Sequence, residues 1–238
     1  MRKRIIVILT SIILIGVSLV GLIYAGYIRF NYLFSIEFPI QGIDVSHHQK
    51  EIEWNKINKN DVRFVFIKAT EGGDFKDKKF EFNWKESKKN KFNVGAYHFF
   101  TFCKSGREQA KNFIETVPVE KGSLPPVIDL EFEGNCKIKK DKKEIHAEID
   151  TLQQLLQQNY LKKPIFYVTE DFYNEFLVDK FSDNPIWFRD NYKKPNLKGN
   201  RKWLFWQYGN RGHLEGINTD VDLNVFNGSE KEFKKLIE

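Results

Sequence analysis

The sequence contains few of the residues that build disulfide frameworks or metal centres. It has two cysteines, Cys103 and Cys136, and five histidines in 238 residues. A structural zinc site needs closely spaced Cys or His ligands, and the sequence has no such cluster and no His-Glu-x-x-His pattern. It also lacks the glycine-rich first turn that cradles a nucleotide phosphate. The sequence therefore indicates neither a structural zinc site nor a nucleotide-binding first turn.

Net charge is also low once the N-terminal segment is set aside. The whole chain carries a net charge of +6, but four of its 38 Lys and Arg residues lie in the first 30 positions, where no acid occurs. The remaining 34 basic and 32 acidic residues give a net charge of +2. A nearly neutral domain lacks the basic surface that binds phosphate backbones, so we expect no nucleic-acid partner.

The first 28 residues combine a basic tail with a long apolar run. Arg2, Lys3 and Arg4 precede the 24 uncharged residues 5–28, which exceed the roughly 20 needed to cross a bilayer. Basic residues favour the cytoplasmic side. We predict a cytoplasmic tail at 1–4, a transmembrane signal anchor at 5–28, a juxtamembrane linker at 29–39 and an exported domain at 40–238. The alternative is a secreted protein whose signal is cleaved near Tyr24-Ala25-Gly26.

Residues 40–238 alternate strand-like and helix-like segments with no long linker or repeat. The predicted strands are Gly42–Ser46, Arg63–Ala69, Val94–Phe100, Val127–Glu131, Ile165–Thr169, Ile186–Arg189, Trp203–Tyr208 and Val221–Val225. The clearest helix is Asp141–Tyr160, and capping boxes at Ser105 and Ser229 begin two more. Such alternation is typical of a parallel barrel or a doubly wound sheet. Without a glycine-rich turn, we favour a single-domain α/β fold, a modified TIM-like (β/α) barrel.

One predicted strand carries two carboxylates. Asp129 and Glu131 are two residues apart in Val127–Glu131, so they share one face of the strand. Neighbouring acids in a partly dry pocket push their pKa values apart, which leaves one protonated near neutrality. A protonated acid beside a charged carboxylate is what hydrolysis of a glycosidic bond requires. An isolated Asp-x-Glu pair more often caps a loop, but Asp44 and Asp222 add acids from two other strands.

Further polar and aromatic side chains near strand ends are candidate substrate contacts: Tyr97, His98, Tyr167, Trp187, Arg189 and Gln207. In a barrel these ends meet at one mouth. Trp187 fits stacking on a sugar and a place in the core equally well, while Trp206 and Tyr208 are weaker stacking candidates. Arg189 fits either an anionic substituent of the substrate or an ion pair with Asp190 or Asp222.

The two cysteines each follow the end of a predicted strand. These strands, 94–100 and 127–131, are consecutive, so they are neighbours in a barrel. Their loops emerge side by side on the mouth face, outside the reducing cytosol. We therefore predict a disulfide between Cys103 and Cys136, against the alternative of two unrelated thiols.

Several motifs occur together in a fixed order. They are Gly42-Ile43-Asp44-Val45-Ser46, Tyr97-His98, Asp129-Leu130-Glu131, Trp206-Gln207-Tyr208 and Val221-Asp222-Leu223-Asn224. In this combination, from about Gln41 to Phe226, the chain resembles the lysozymes of glycoside hydrolase family 25. The resemblance implies a modified β/α barrel that cleaves the β-1,4 bond between N-acetylmuramic acid and N-acetylglucosamine in peptidoglycan.

The resemblance also implies roles for individual residues. Glu131 matches the general acid, and Asp129 matches either the nucleophile or the group that orients the substrate acetamide. Asp44 and Asp222 match two further acids of the site, and Tyr97 matches a site tyrosine. No metal or cofactor is implied. The expected enzyme is a monomer, anchored in a bacterial membrane with its domain outside the cytoplasm, that acts on the glycan strands of peptidoglycan.

Two other functions compete with this interpretation. A non-catalytic glycan-binding barrel would be expected to lose at least one acid of the Asp129/Glu131 pair, and both are present. A chitinase-like glycosidase would carry acids at i, i+3, i+5 and i+7, which the strand Val127–Glu131 lacks. One departure from the family pattern is Arg189, because a small residue is expected at that position.

Overall fold

The computed structural model describes residues 2–24 and 31–238. Its first helix, α1 (Arg2–Tyr24), contains no buried residue. Its length and composition would allow it to cross a membrane, and an N-terminal signal sequence has the same properties. Residue 1 of the predicted tail, residues 25–28 of the predicted anchor with the candidate cleavage site, and residues 29–30 of the predicted linker lie outside the described residues.

A closed barrel forms the domain. Its strands are β1 (Gln41–Val45), β2 (Phe64–Glu71), β3 (Phe75–Lys76), β4 (Asn93–Phe99), β5 (Val127–Leu130), β6 (Ile165–Val168), β7 (Ile186–Arg189), β8 (Phe205–Gly212) and β9 (Val221–Phe226). β1 pairs with β2 on one side and with β9 on the other, which closes eight strands into a barrel. β9 is antiparallel to both neighbours, the other barrel pairings are parallel, and β3 only extends β2 as a hairpin. The predicted single-domain α/β barrel is confirmed.

Helices cover much of the outside of the barrel. They are α3 (Phe80–Lys89), α4 (Gly106–Thr116), α5 (Lys142–Tyr160), the short α6 (Glu170–Phe172) with a π-helical turn at Tyr173–Leu177, and α7 (Glu230–Ile237). Short 3-10 turns lie at His47–Gln49 and Lys198–Asn200. The predicted capping boxes at Ser105 and Ser229 are confirmed, and Asp141 caps α5 in the same way.

Aromatic rings fill the lower part of the barrel interior. The inward-facing residues here are Phe64, Phe66, Val127, Ile165, Trp187, Phe205 and Phe226, and all of them are buried. Glycines on neighbouring strands make room for the rings, since a Cβ on Gly42 would lie 2.5 Å from the Phe64 ring and one on Gly95 would lie 2.6 Å from the Phe66 ring. We call this layer of seven residues the barrel floor. A second core lies between the strands and the helices.

Residues 31–39 of the predicted linker fold against the barrel and do not form an extended connection. Residues 31–39 begin with the short helix α2 (Asn31–Ser35), which packs on β8. The Asn31 Nδ2 donates to the backbone oxygen of Asp190 at 3.1 Å, and the Phe38 ring packs edge-on against Trp203 and Trp206. The physical reason is that β8 and β9 form a hairpin without a helix between them. The N-terminal segment covers the outer face of β8 in place of that helix.

Candidate active site

The strand register brings the predicted acids to one level of the barrel. Asp44 on β1 lies opposite Asp222 on β9. Asp129 on β5 lies opposite Tyr167 on β6, and on the next pair of strands Arg189 lies opposite Gln207. Asp129, Tyr167, Arg189 and Gln207 each follow a floor residue at a spacing of two, so they also face inward. Asp222 precedes the floor residue Phe226 by four and lies opposite Asp44, which follows Gly42 by two. Together they form a polar layer directly above the floor, at the carboxyl ends of the parallel strands.

Asp44 is fixed by two amides. Its Oδ2 accepts hydrogen bonds from the Gln207 Nε2 at 2.9 Å and from the Asn224 Nδ2 at 2.8 Å. The Tyr167 hydroxyl donates to the Gln207 Oε1 at 3.0 Å, and the Trp187 Nε1 donates to the Asn224 Oδ1 at 2.8 Å. All five residues are buried. The network therefore holds one carboxylate oxygen of Asp44 in a single orientation.

Burial changes the protonation of the Asp44/Asp222 pair. Loss of water contact raises the pKa of Asp44 to about 6, although its hydrogen bonds to Asn224 and Gln207 act in the opposite direction. Burial and the nearby Asp44 charge raise the pKa of Asp222 to about 8. Near neutrality the pair therefore retains a proton that two exposed aspartates would lose.

Asp129 is a buried acid close to Glu131. Burial raises its pKa well above the ordinary value, and the neighbouring Glu131 charge raises it further. Its Oδ1 is buried and accepts no hydrogen bond from any residue that the structure describes. An unpaired buried oxygen of this kind is ready to accept a bond from a ligand.

Glu131 lies one residue beyond the end of β5 and pairs with Arg189. The Arg189 Nη1 donates to the Glu131 Oε2 at 3.1 Å and lies 3.5 Å from the Glu133 Oε2. Burial raises the pKa of Glu131, while the Arg189 charge opposes that rise. The predicted ion pair of Arg189 with Asp190 or Asp222 was therefore wrong in its partner. The observed partner, Glu131, lies 58 residues earlier in the chain, and local sequence does not reveal such a contact.

Tyr97 faces the acids, but His98 does not. Burial and the charges of Asp44 and Asp129 raise the pKa of Tyr97 well above its ordinary value, so its phenol keeps its proton. His98 is the next residue of β4 and points to the opposite face, where it is fully buried. There its Nδ1 lies 2.7 Å from the Thr70 Oγ1 and its Nε2 lies 3.1 Å from the Gln109 Oε1. The prediction that His98 contacts substrate was wrong.

The tryptophan and glutamine candidates lie beneath or behind the open surface. Trp187 is 1% exposed, belongs to the barrel floor and stacks on Phe66 with ring centres 4.7 Å apart. Of the two alternatives for Trp187, sugar stacking and the core, the structure shows the core, and Trp206 and Tyr208 are buried in the outer core. Gln207 was predicted to bind substrate, but it is buried and both ends of its amide are used by Asp44 and Tyr167.

Two residues of the polar layer were missed. Lys68 follows Phe64 and Phe66 at a spacing of two, and its charge acts on Asp129. Its Nζ lies 2.7 Å from the Glu71 Oε2 and 5.1 Å from the centre of the Phe99 ring. Asn224, which holds Asp44, lies two residues after Asp222. Asn224 was identifiable, because it lies two residues from the predicted acid Asp222 and so shares its face of the strand. Lys68 lies in a strand that is mostly buried on both faces, so no local signal marked it.

The predicted disulfide is confirmed. Cys103 and Cys136 are bonded, with Cα atoms 6.2 Å apart. The bridge joins the loops that follow β4 and β5. It therefore fastens the segment after Glu131 to its neighbour at the mouth.

Comparisons with known proteins agree with this architecture. The model of the glycosyl hydrolases family 25 matches residues 43–217. The chain is 36% identical over 214 residues to the protein YegX of Escherichia coli (strain K12), covering 86% of this chain and 77% of that protein. It is 30% identical over 201 residues to lysozyme M1 of Streptomyces globisporus, covering 80% and 68%.

A solved structure gives the same result for the fold. A family 25 glycosyl hydrolase from Bacillus anthracis superposes with a TM-score of 0.79 at 40% identity, covering 85% of this chain and 95% of that chain. The chain belongs to glycosyl hydrolase family 25. It is accordingly a glycoside hydrolase of the lysozyme, or muramidase, type.

Proposed function

We propose that this enzyme hydrolyses the β-1,4 bond between N-acetylmuramic acid and N-acetylglucosamine in peptidoglycan. The observation that carries the proposal is the group of four acids, Asp44, Asp129, Glu131 and Asp222, which act on one another at the carboxyl ends of the parallel strands, above an apolar floor. Such a group of acids suits a reaction in which positive charge develops on a sugar ring. Similarity to lysozyme M1 of Streptomyces globisporus supports the same substrate.

Glu131 is the general acid in this proposal. It gives its proton to the glycosidic oxygen while the bond from that oxygen to the sugar C1 breaks. Asp129 accepts the N–H of the substrate acetamide, and the acetamide oxygen attacks C1 to form an oxazoline-like ring. Water then opens the ring at C1 and gives a proton to Glu131, with net retention. The unpaired Oδ1 of Asp129 supports this role, while direct attack by Asp129 is the alternative.

Substrate binding would also place the proton on the correct acid. In the free enzyme, Arg189 stabilises the charged form of Glu131, while Asp129 is buried without a comparable partner. An acetamide N–H that bonds to Asp129 stabilises the charged form of Asp129 instead. The shared proton then moves to Glu131. Glu133 remains available to Arg189 at 3.5 Å, and an anionic substituent of the substrate is a second partner for the guanidinium.

We also propose that α1 is a membrane anchor and that the enzyme works outside the cytoplasm. The support is an apolar helix that begins with the basic Arg2, Lys3 and Arg4 and has no buried residue. An anchor confines the enzyme beside its polymer. A cleaved signal would instead give a secreted enzyme.

The decisive experiment is digestion of defined glycans by the purified full-length enzyme. On peptidoglycan we expect new reducing ends of N-acetylmuramic acid, and no release from chitin. Reducing ends of N-acetylglucosamine, or digestion of chitin alone, would overturn the bond assignment. Binding without cleavage would favour the non-catalytic barrel. A peptidoglycan sample stripped of its N-acetyl groups tests Asp129, because full activity on it excludes the acetamide route.

A further inference from the structure

The segment between α1 and the barrel has two different sides. One side packs on the barrel, with Asn31, Ser35 and Phe38 buried. The other side carries Leu33, Phe34 and Ile36, which are 64%, 44% and 73% exposed. We call these three residues the apolar ridge.

The apolar ridge differs from the other exposed apolar side chains of the domain. Elsewhere in residues 31–238 these residues are separated widely along the chain: Phe75, Phe82, Val119, Ile138, Leu161 and Tyr192. Single exposed apolar residues are common, whereas several in one short segment mark a surface that binds something. The ridge therefore needs an occupant.

The length of chain between α1 and α2 limits what that occupant is. Tyr24 ends α1 and Asn31 begins α2, so the two lie at most about 25 Å apart even with a fully extended connection. The connecting sequence contains Tyr27, Arg29 and Phe30, which are residue types typical of a membrane interface or its flanks. If α1 crosses a bilayer, the ridge lies within this short reach of the point where the chain leaves the lipid.

We propose that the apolar ridge inserts into the interfacial region of the bilayer that α1 crosses and docks the barrel on the extracytoplasmic face of that bilayer. This inference rests on the proposed anchoring by α1. Apolar side chains on a short segment bind at the boundary of headgroups and acyl chains. The occupant is therefore lipid, rather than a second copy of the chain or α1 itself.

The docking has a consequence for the active site. The Asn31 side chain donates to the backbone of Asp190 at 3.1 Å. The preceding residue, Arg189, donates to Glu131 at 3.1 Å. The docked segment is thus two contacts away from the proposed general acid. A barrel held by the ridge keeps the β7 side of its mouth beside the membrane, so the glycan it reaches first is the glycan nearest the bilayer.

A fluorescent probe on the ridge tests the docking. Both native cysteines are in the disulfide, so Ile36→Cys gives one free thiol for an environment-sensitive dye. The matched control is Val119→Cys, which is 63% exposed and lies between α4 and β5, outside the apolar ridge. Full-length protein is reconstituted in phosphatidylethanolamine/phosphatidylglycerol vesicles with or without brominated lipids. We expect severalfold stronger quenching by brominated lipid at position 36 than at position 119.

Each other outcome overturns the docking for a different reason. Equal weak quenching at both positions means that the ridge faces water. A blue-shifted probe at position 36 without lipid quenching means that protein covers the ridge; dependence on protein concentration then identifies a second copy, and its absence identifies α1. Loss of α1, seen by intact mass, would remove the anchor on which the docking rests. Digestion of soluble peptidoglycan by the same samples is measured separately, so a failed glycan assignment leaves the probe result readable.

Discussion

The barrel interior has two halves with opposite chemistry. The floor consists of Val127, Ile165 and five aromatic rings, and water has little access to it. The polar layer one step higher on the same strands holds four acids, Arg189 and Lys68. Both halves are built from inward-facing residues of one barrel. Their difference in chemistry therefore comes from the side chains that occupy successive inward-facing positions.

The contrast shows how the fold prepares acids for catalysis. Carboxylates above an apolar floor lose hydration on one side, and this burial is the largest cause of the raised pKa values of Asp44, Asp129, Glu131 and Asp222. The network through Asn224 extends from the Trp187 indole in the floor to Asp44 in the polar layer. The floor therefore sets both the electrostatics and the orientation of the site.

The largest expected effect comes from the polar layer. Glu131→Gln keeps the size of the side chain but removes the proton donor, so we expect kcat to fall by about 10²–10⁴-fold. The thermal unfolding midpoint should change little. The matched control is Glu133→Gln, which alters an exposed acid that also lies near Arg189 at 3.5 Å. Wall clearing by Glu131→Gln at the wild-type rate would show that another residue is the acid.

The largest expected effect on stability comes from the floor. Phe66 is fully buried against the rings of Trp187 and Phe205, so Phe66→Ala leaves a cavity that costs roughly 3–5 kcal/mol of unfolding free energy. Urea denaturation measures the loss. Phe82→Ala, at a partly exposed ring on α3, should cost under about 1 kcal/mol. Similar losses for the two variants would mean that the floor packs loosely.

Much of the fold and the grouping of the four acids were predictable from the sequence, because the positions of strands and of their ends are local signals. The eight barrel strands, the helix α5 and the capping boxes were found to within a few residues. The four acids were grouped correctly because strand ends converge in a barrel. The disulfide followed from the same reasoning.

The face on which each side chain lies was not predictable. Strands of a parallel barrel are buried on both sides, so they lack the apolar–polar alternation that identifies the inner face. His98 was therefore assigned to the mouth that its neighbour Tyr97 faces, and the sequence left Trp187 undecided between the mouth and the core. The pairing of Arg189 with Glu131 and the packing of residues 31–39 depend on contacts between distant parts of the chain, which a single sequence does not contain.

A smaller effect is expected in the pH dependence of stability. The folded pKa of Asp222 is about 8, above its ordinary value of 3.8, so the folded state binds more protons than the unfolded state between these values. The stability that this group contributes is present below pH 4 and is lost as pH rises through 8. We expect Asp222→Asn to remove this loss, making the variant more stable than wild type at pH 9 by on the order of 2 kcal/mol.

Urea titrations at pH 4 and pH 9 provide the measurement for Asp222→Asn. The two proteins should differ little at the lower pH and diverge at the higher one. Asp220→Asn, two residues earlier and exposed, serves as the control and should follow wild type at both. A constant difference between Asp222→Asn and wild type across the range would mean that Asp222 titrates normally in the folded state.

The smallest expected effect tests the connection between the floor and the polar layer. Trp187→Phe keeps a ring in the floor but removes the indole N–H that donates to Asn224 at 2.8 Å, so we expect about 1–2 kcal/mol of lost stability and a severalfold fall in kcat. Trp203→Phe removes a similar bond, from its Nε1 to the Pro195 oxygen at 3.2 Å, on the outer side of the barrel. It should lose similar stability and keep its kcat, because Asn224 still fixes Asp44. If both variants lose activity in proportion to stability, the indole only fills space and the orientation of Asp44 does not depend on the floor.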